Sequence, residues 1–186
     1  MSGVQIDGHS LTLEEIKSAI FGPLEVSISE NSRELMQASR KAVQMVIDSG
    51  EVVYGINTGF GALSSVSIDQ DGLESLQTNL VRSHACGIGE RMDPESVLMM
   101  MLIRANSLAK GVSGVRPLVV DLILGMVNSR IAPIIPRIGS LGASGDLAPL
   151  SHMTMGMMGE GECVVEVDGE WVSKDARVAS EDAGLN

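Results

Sequence analysis

Three groups of residues have the types and spacing to do chemistry, and the most informative is Gly139-Ser140-Leu141-Gly142-Ala143-Ser144-Gly145-Asp146-Leu147-Ala148-Pro149-Leu150. It places three glycines and two serines between a proline-punctuated apolar segment and a methionine-rich one. Gly145 has no Cβ, so its amide nitrogen can approach the carbonyl carbon of Ala143 in conformations closed to other residues, and Gly139 and Gly142 allow the sharp backbone this needs. If the ring closes and dehydrates, Ser144 loses its hydroxyl and becomes an exocyclic methylene, an electrophile that no unmodified side chain provides. The alternative is a plain turn with a cap. Asp146 ahead of Leu147, Ala148 and Pro149 has the form of an N-cap with proline in the first helical turn.

The second group is Tyr54 with the glycine-rich run Gly55-Ile56-Asn57-Thr58-Gly59-Phe60-Gly61. A phenol is a weak base at neutral pH and takes a carbon-bound proton only if its anion is stabilised, so by itself Tyr54 also reads as a strand residue packing its ring. The third is Ser83-His84. A histidine near a helix C-terminus is favoured by the dipole whatever its function. His84 and Cys86 are two metal-ligand types with no others nearby, so no metal site is expected.

The string from Gly139 to Met153, fifteen consecutive positions, resembles the signature of the aromatic amino acid lyases. In that family Ala-Ser-Gly cyclises to 4-methylideneimidazole-5-one. The resemblance implies that Ala143, Ser144 and Gly145 make this electrophile autocatalytically, without an external cofactor, with Gly142 and Asp146 supporting the loop. The run Tyr54 to Gly61 is similar to the family segment that supplies the catalytic tyrosine and an inner loop. Ser83-His84 occupies the position of the family's substrate selector, where Ser-His accompanies histidine and Phe-Leu or His-Leu accompanies phenylalanine or tyrosine. The implied activity is elimination of ammonia from L-histidine to give trans-urocanate. Phenylalanine or tyrosine lyases or aminomutases of the same family are the alternative, and a silent fragment acting only in assembly or binding is a third reading.

Family members are far longer and form tetramers whose sites draw on several subunits. The resemblance therefore implies a homotetrameric enzyme of which residues 1–186 are the amino-terminal part. The missing carboxy-terminal part would complete the pocket, and this chain alone is expected to be inactive. Arg104 to Gly111 and Ser113 to Pro117 also resemble family segments and are read as scaffold. His152 is read as a packed histidine.

Composition bounds the rest. With 13 basic and 24 acidic residues the net charge is −11, which disfavours nucleic acid and anionic membrane as partners. Two cysteines cannot build a disulfide framework, and no apolar run is long enough to span a bilayer, so a cytoplasmic protein is expected. One tryptophan, one tyrosine and two phenylalanines leave the core to aliphatic residues and twelve methionines.

These groups must be positioned by a mainly α fold, a single unit over 1–186 with the electrophile loop at 139–150. Val4 to Ile6 reads as a short strand. Thr12-Leu13-Glu14-Glu15 is a capping box opening a helix to about Phe21. Glu30 to Asp48 carries Leu35, Ala38, Ala42, Val43, Met45 and Val46 at helical spacing, predicting one buried face with Gly50 as C-cap. Val52 to Tyr54 reads as extended. Helices are predicted over 73–85, from Asp93-Pro94-Glu95 to Leu108, from Arg116-Pro117 to about Asn128, and over 147–158. Pro133 and Pro136 are expected to break the chain. Val164 to Val172 reads as a hairpin turning at Asp168-Gly169, followed by a last helix over 173–182.

Overall fold

A computed structural model describes residues 3–58, 70–140 and 145–185. The second half of the Tyr54 loop, from Gly59, and the residues Gly142, Ala143 and Ser144 lie outside the described residues.

Local side-chain chemistry sets most helix starts. Strand β1 (Val4–Ile6) leads into helix α1 (Leu13–Phe21), where Glu15 N donates to Thr12 Oγ1 at 3.3 Å and Thr12 N donates back to Glu15 Oε2 at 2.8 Å, the reciprocal capping box predicted. The chain returns through β2 (Val26–Ile28), which pairs parallel with β1 in the register Val4↔Val26. Helix α2 (Glu30–Ser49) ends at Gly50, whose φ of 70° is the left-handed cap its sequence position suggests. Helix α3 (Gln70–His84) is followed by β3 (Ile88–Arg91). In α4 (Pro94–Leu108), Asp93 caps by accepting from Ser96 N at 3.0 Å. Next come α5 (Pro117–Asn128), β4 (Ile131–Pro133), β5 (Pro136–Ile138) and α6 (Leu147–Met157). The chain closes with β6 (Glu162–Val167), β7 (Glu170–Asp175) and α7 (Ala176–Asp182).

Helices α4 and α5 form the centre, packed on each other and on β4, with α1 against α4 and α3 against α6. Leu98, Met101, Leu102, Val120, Ile123, Met126, Ile131 and Ile135 are fully buried there. Each such side chain contributes roughly 1.5–3 kcal/mol of transfer free energy relative to exposure, so this cluster dominates the stability. One continuous group of buried residues runs from Val4 to Ala179. The mainly α fold is as predicted.

Several expectations are corrected. The apolar stripe of α2 is not a buried face: Leu35 is 46% and Met45 63% exposed, and only Ser32 and Met36 of this helix are buried. Helical spacing guarantees a stripe, not a partner for it. Val52 and Val53 form no strand, and Tyr54, Gly55 and Ile56 form a turn. Pro133 and Pro136 do not simply break the chain. They end β4 and begin β5, edge positions where a missing N–H costs no ladder bond. Strands β2 and β3 had no sequence prediction, and β3 pairs antiparallel with β5. The hairpin is longer than predicted, with Glu162 opposite Asp175, so Ser173 to Asp175 are strand, not helix. Its turn is the predicted one: Asp168 at φ 52° and Gly169 at φ 84° give the two left-handed residues a tight hairpin needs.

Candidate functional site

The glycine segment is anchored to the start of α6. A Cβ on Gly139 would lie 3.2 Å from Ala148 Cβ and 3.4 Å from Pro149 Cδ, so the missing side chain lets the segment rest against the first turn of the helix. Ala148 N donates to Ser140 Oγ at 2.9 Å, so a serine from upstream satisfies one of the open amides of α6. Asp146 occupies the N-cap position, as expected, but its carboxylate makes no capping bond. Sequence reasoning gave the cap to Asp146 and missed Ser140. Gly145 has a φ of +97°, which strains any residue with a Cβ, and none of the described residues has an atom within 4 Å of where one would be. Glycine is favoured there by backbone conformation. Gly145 stands two residues before the positive end of α6. Ala143 and Ser144, the other two members, lie outside the described residues.

Tyr54 stands on a turn held by Asn57. Val53 N donates to Asn57 Oδ1 at 2.9 Å, and Asn57 Nδ2 donates to the carbonyl of Glu51 at 2.8 Å. Asn57 and Thr58 are buried while Tyr54 is 65% exposed. The turn is thus clamped from inside, with Tyr54 largely at the surface. Asn57 was missed as a positioning residue, although asparagine in a glycine-rich loop is the residue type that bonds its own backbone. Gly55 and Ile56 line a cavity of about 330 Å³ together with Arg40, Gln77, Ser113 and Arg116. It adjoins a cavity of about 620 Å³ between α3, α5 and α6, sharing Gln77, Ser113 and Arg116 with it.

Ser83 and His84 end α3. Ser83 Oγ donates to the carbonyl of Leu80 at 2.9 Å, and His84 Nδ1 lies 2.8 Å from the same oxygen. A carbonyl only accepts, so Nδ1 carries hydrogen, and in the uncharged tautomer this leaves Nε2 as the acceptor. Neither cavity is lined by Ser83, His84, Gly145 or Asp146. These two cavities therefore do not join Ser83-His84 or Gly145 to the Tyr54 turn.

The remaining candidates are scaffold. Asn106 Oδ1 accepts from Gly8 N at 2.9 Å and ties the first strand to α4. His152 Nε2 accepts from Gly87 N at 3.1 Å, consistent with a packed histidine, and burial lowers its pKa. Burial pushes the Cys163 thiol up to about 12, so it stays protonated and unreactive. Among the described residues no group of three or more His, Cys, Asp and Glu could hold a metal, and no helix is long and apolar enough to cross a membrane.

Comparison with known proteins places this geometry in a family. The profile of the aromatic amino acid lyases matches residues 11–186. Histidine ammonia-lyase of Geobacillus sp. (strain WCH70) is 52% identical over 159 residues, which cover 86% of this chain and 31% of that protein. Histidine ammonia-lyase from Trypanosoma cruzi superposes with a TM-score of 0.88 at 34% identity, over 100% of this chain and 35% of that one. The ergothionase of Treponema denticola gives a TM-score of 0.88 at 29% identity, over 99% of this chain and 36% of that one. The chain thus spans about a third of the length of the relatives it matches. With the profile matched over nearly every residue and about half the aligned positions identical in a relative, the chain belongs to the aromatic amino acid lyase family.

Proposed function

We propose that this chain forms part of a histidine ammonia-lyase. In the reaction the Cα–N bond of L-histidine breaks, a β-proton leaves, the Cα–Cβ double bond of trans-urocanate forms, and ammonia departs. The observation that carries this reading is the 52% identity to a histidine ammonia-lyase over 159 residues.

Ala143, Ser144 and Gly145 would form the 4-methylideneimidazole-5-one, which supplies an electrophile for the substrate amino group. Its chemistry is needed because the β-hydrogen is scarcely acidic, so a covalent route replaces a prohibitive direct elimination. The chain's own residues do the rest. Tyr54 takes the β-proton at its phenolic oxygen. Ser83 and His84 select the side chain: with Nδ1 held by the Leu80 carbonyl, His84 Nε2 can accept from a substrate imidazole N–H, a bond a phenyl ring cannot offer. Ser140 fixes the start of α6 beneath Gly145 through its bond to Ala148 N.

The proposal carries with it a cytoplasmic homotetramer, the assembly the family resemblance implies, with residues 1–186 as one mainly helical unit. The pocket is completed by further parts of the enzyme, and the continuous core from Val4 to Ala179 supports treating this chain as the scaffold for its share.

The test is an ultraviolet assay on the complete enzyme carrying this chain. Urocanate should accumulate with histidine as substrate. Cinnamate or coumarate from phenylalanine or tyrosine, with histidine inert, would overturn the substrate assignment.

A further inference from the structure

Resting on the reading of Ser83-His84 as the selector, we propose that His152 is a positioning residue that sets where this pair stands relative to the electrophile segment. Two ties join the end of α3 and the residues just after it to α6 and the residues just after that helix, and they bracket Ser83-His84. Before the pair, Arg82 binds Glu160 through two hydrogen bonds, with Nε to Oε2 at 3.0 Å. After it, Gly87 N donates to His152 Nε2 at 3.1 Å. The two segments run antiparallel, residues 82 and 87 meeting residues 160 and 152. Helix α6 starts two residues after Gly145, so it acts as a rigid strut with the electrophile segment at one end and the selector along its flank.

The two ties differ in kind. Arg82 is about half exposed, and an ion pair at such a surface contributes little to stability, although its two-pronged geometry still fixes orientation. The His152 contact is more confined. A Cβ on Gly87 would lie 3.1 Å from His152 Nε2 and 3.2 Å from Pro136 Cβ, so imidazole, glycine backbone and proline ring fill this junction. Gly87 does not have a positive φ, so here glycine is favoured by space, a Cβ forcing its neighbours to give by a few tenths of an ångström. Because the Gly87 amide donates, Nε2 must carry a lone pair, and the neutral ring has its hydrogen on Nδ1. Burial keeps His152 in that neutral form by lowering its pKa.

Glutamine can place an acceptor oxygen where Nε2 stands, whereas leucine keeps bulk and removes the acceptor. In the enzyme carrying this chain, His152→Leu should lower kcat/KM for histidine on the order of tenfold to a hundredfold, the scale of misplacing a binding group by about 1 Å, with most of the change in KM. His152→Gln should restore most of it. Hydrogen exchange and long-range ¹H–¹⁵N NMR on the 186-residue chain read the same junction without activity. The wild type should show hydrogen on Nδ1 of His152 and a protected Gly87 amide, with protection lost in His152→Leu and kept in His152→Gln. A hydrogen on Nε2, or Gly87 protection and histidine KM both unchanged in His152→Leu, would overturn the proposal. If His152→Leu does not fold, the wild-type tautomer and the His152→Gln kinetics decide it. An enzyme that makes no urocanate contradicts the substrate assignment instead, leaving the NMR result to judge the junction.

Discussion

The α4–α5 centre and the surface that carries Tyr54, Ser83-His84 and Gly145 are built on opposite terms. In the centre, Leu98, Met101, Leu102, Val120 and Ile123 are fully enclosed by other parts of this same chain. At the surface, Tyr54 is largely exposed, and Ser83, His84 and Gly145 line neither cavity. Small polar devices hold this region: Asn57 staples its turn, Ser140 caps α6, and His152 pins Gly87. Stability is thus concentrated in one region and the proposed chemistry in the other. Changes in the two should have separable effects.

The sharpest separation is at Tyr54. Replacing Tyr54 by Phe removes only a hydroxyl and keeps a ring that is mostly exposed, so circular dichroism should still show the folded chain. Turnover in the complete enzyme should fall on the order of 10²- to 10⁴-fold, the usual scale for losing a general base. Near-normal activity would remove Tyr54 from the mechanism.

The reverse case is the core. Leu102→Ala leaves a cavity at a fully buried site and should destabilise the chain by about 2–5 kcal/mol in denaturant unfolding. Leu35→Ala, on the exposed stripe of α2, should change it by about 0.5 kcal/mol or less. Equal losses at the two positions would mean that the α2 stripe is covered and that the contrast drawn here is wrong.

Ser140→Ala lies between these. It removes the acceptor for Ala148 N and should cost about 0.5–2 kcal/mol, with faster hydrogen exchange confined to the first turn of α6. Asp146→Ala should cost less, since its carboxylate makes no capping bond. If Asp146→Ala proved the more damaging change, the cap would belong to Asp146 after all.

The smallest effect is at Asp7, on the scaffold side. The amides of His9 and Ser10 and the Ser10 hydroxyl donate to its carboxylate and lower its pKa from 3.8 to about 2. A depressed folded-state pKa stabilises the fold above the ordinary carboxylate range, and that contribution fades as pH falls from about 3.8 towards 2. Asp7→Asn should flatten this part of the acid-unfolding curve only slightly, because the carboxylate's hydrogen bonds lie at the exposed surface. A carboxyl ¹³C titration with an ordinary midpoint would show that these bonds do not hold it.

What could be read from the residues divides along the same line. Thr12 with Glu15, Asp93 with Pro94, and Asp168 with Gly169 were legible because each device closes within a few residues through a side chain or a left-handed backbone. Strands β2 and β3 were not, since three or four residues carry too little pattern and their partners lie far along the chain. Ser140 was missed because it caps from eight residues upstream, past the nearer and more conventional Asp146. The family could be recognised from one fifteen-residue string, but which residues line the two cavities beside the Tyr54 turn is a property of packing that no string contains.

The central claim is that Ala143, Ser144 and Gly145 become an electrophile in the working enzyme. Trypsin cuts after Arg137 and Lys174, so the peptide 138–174 contains the whole segment. Its mass, measured from the complete enzyme carrying this chain, should be lower than the unmodified value by two waters, about 36 Da, the mark of ring closure with dehydration. The unmodified mass in an enzyme that still forms urocanate would contradict the account.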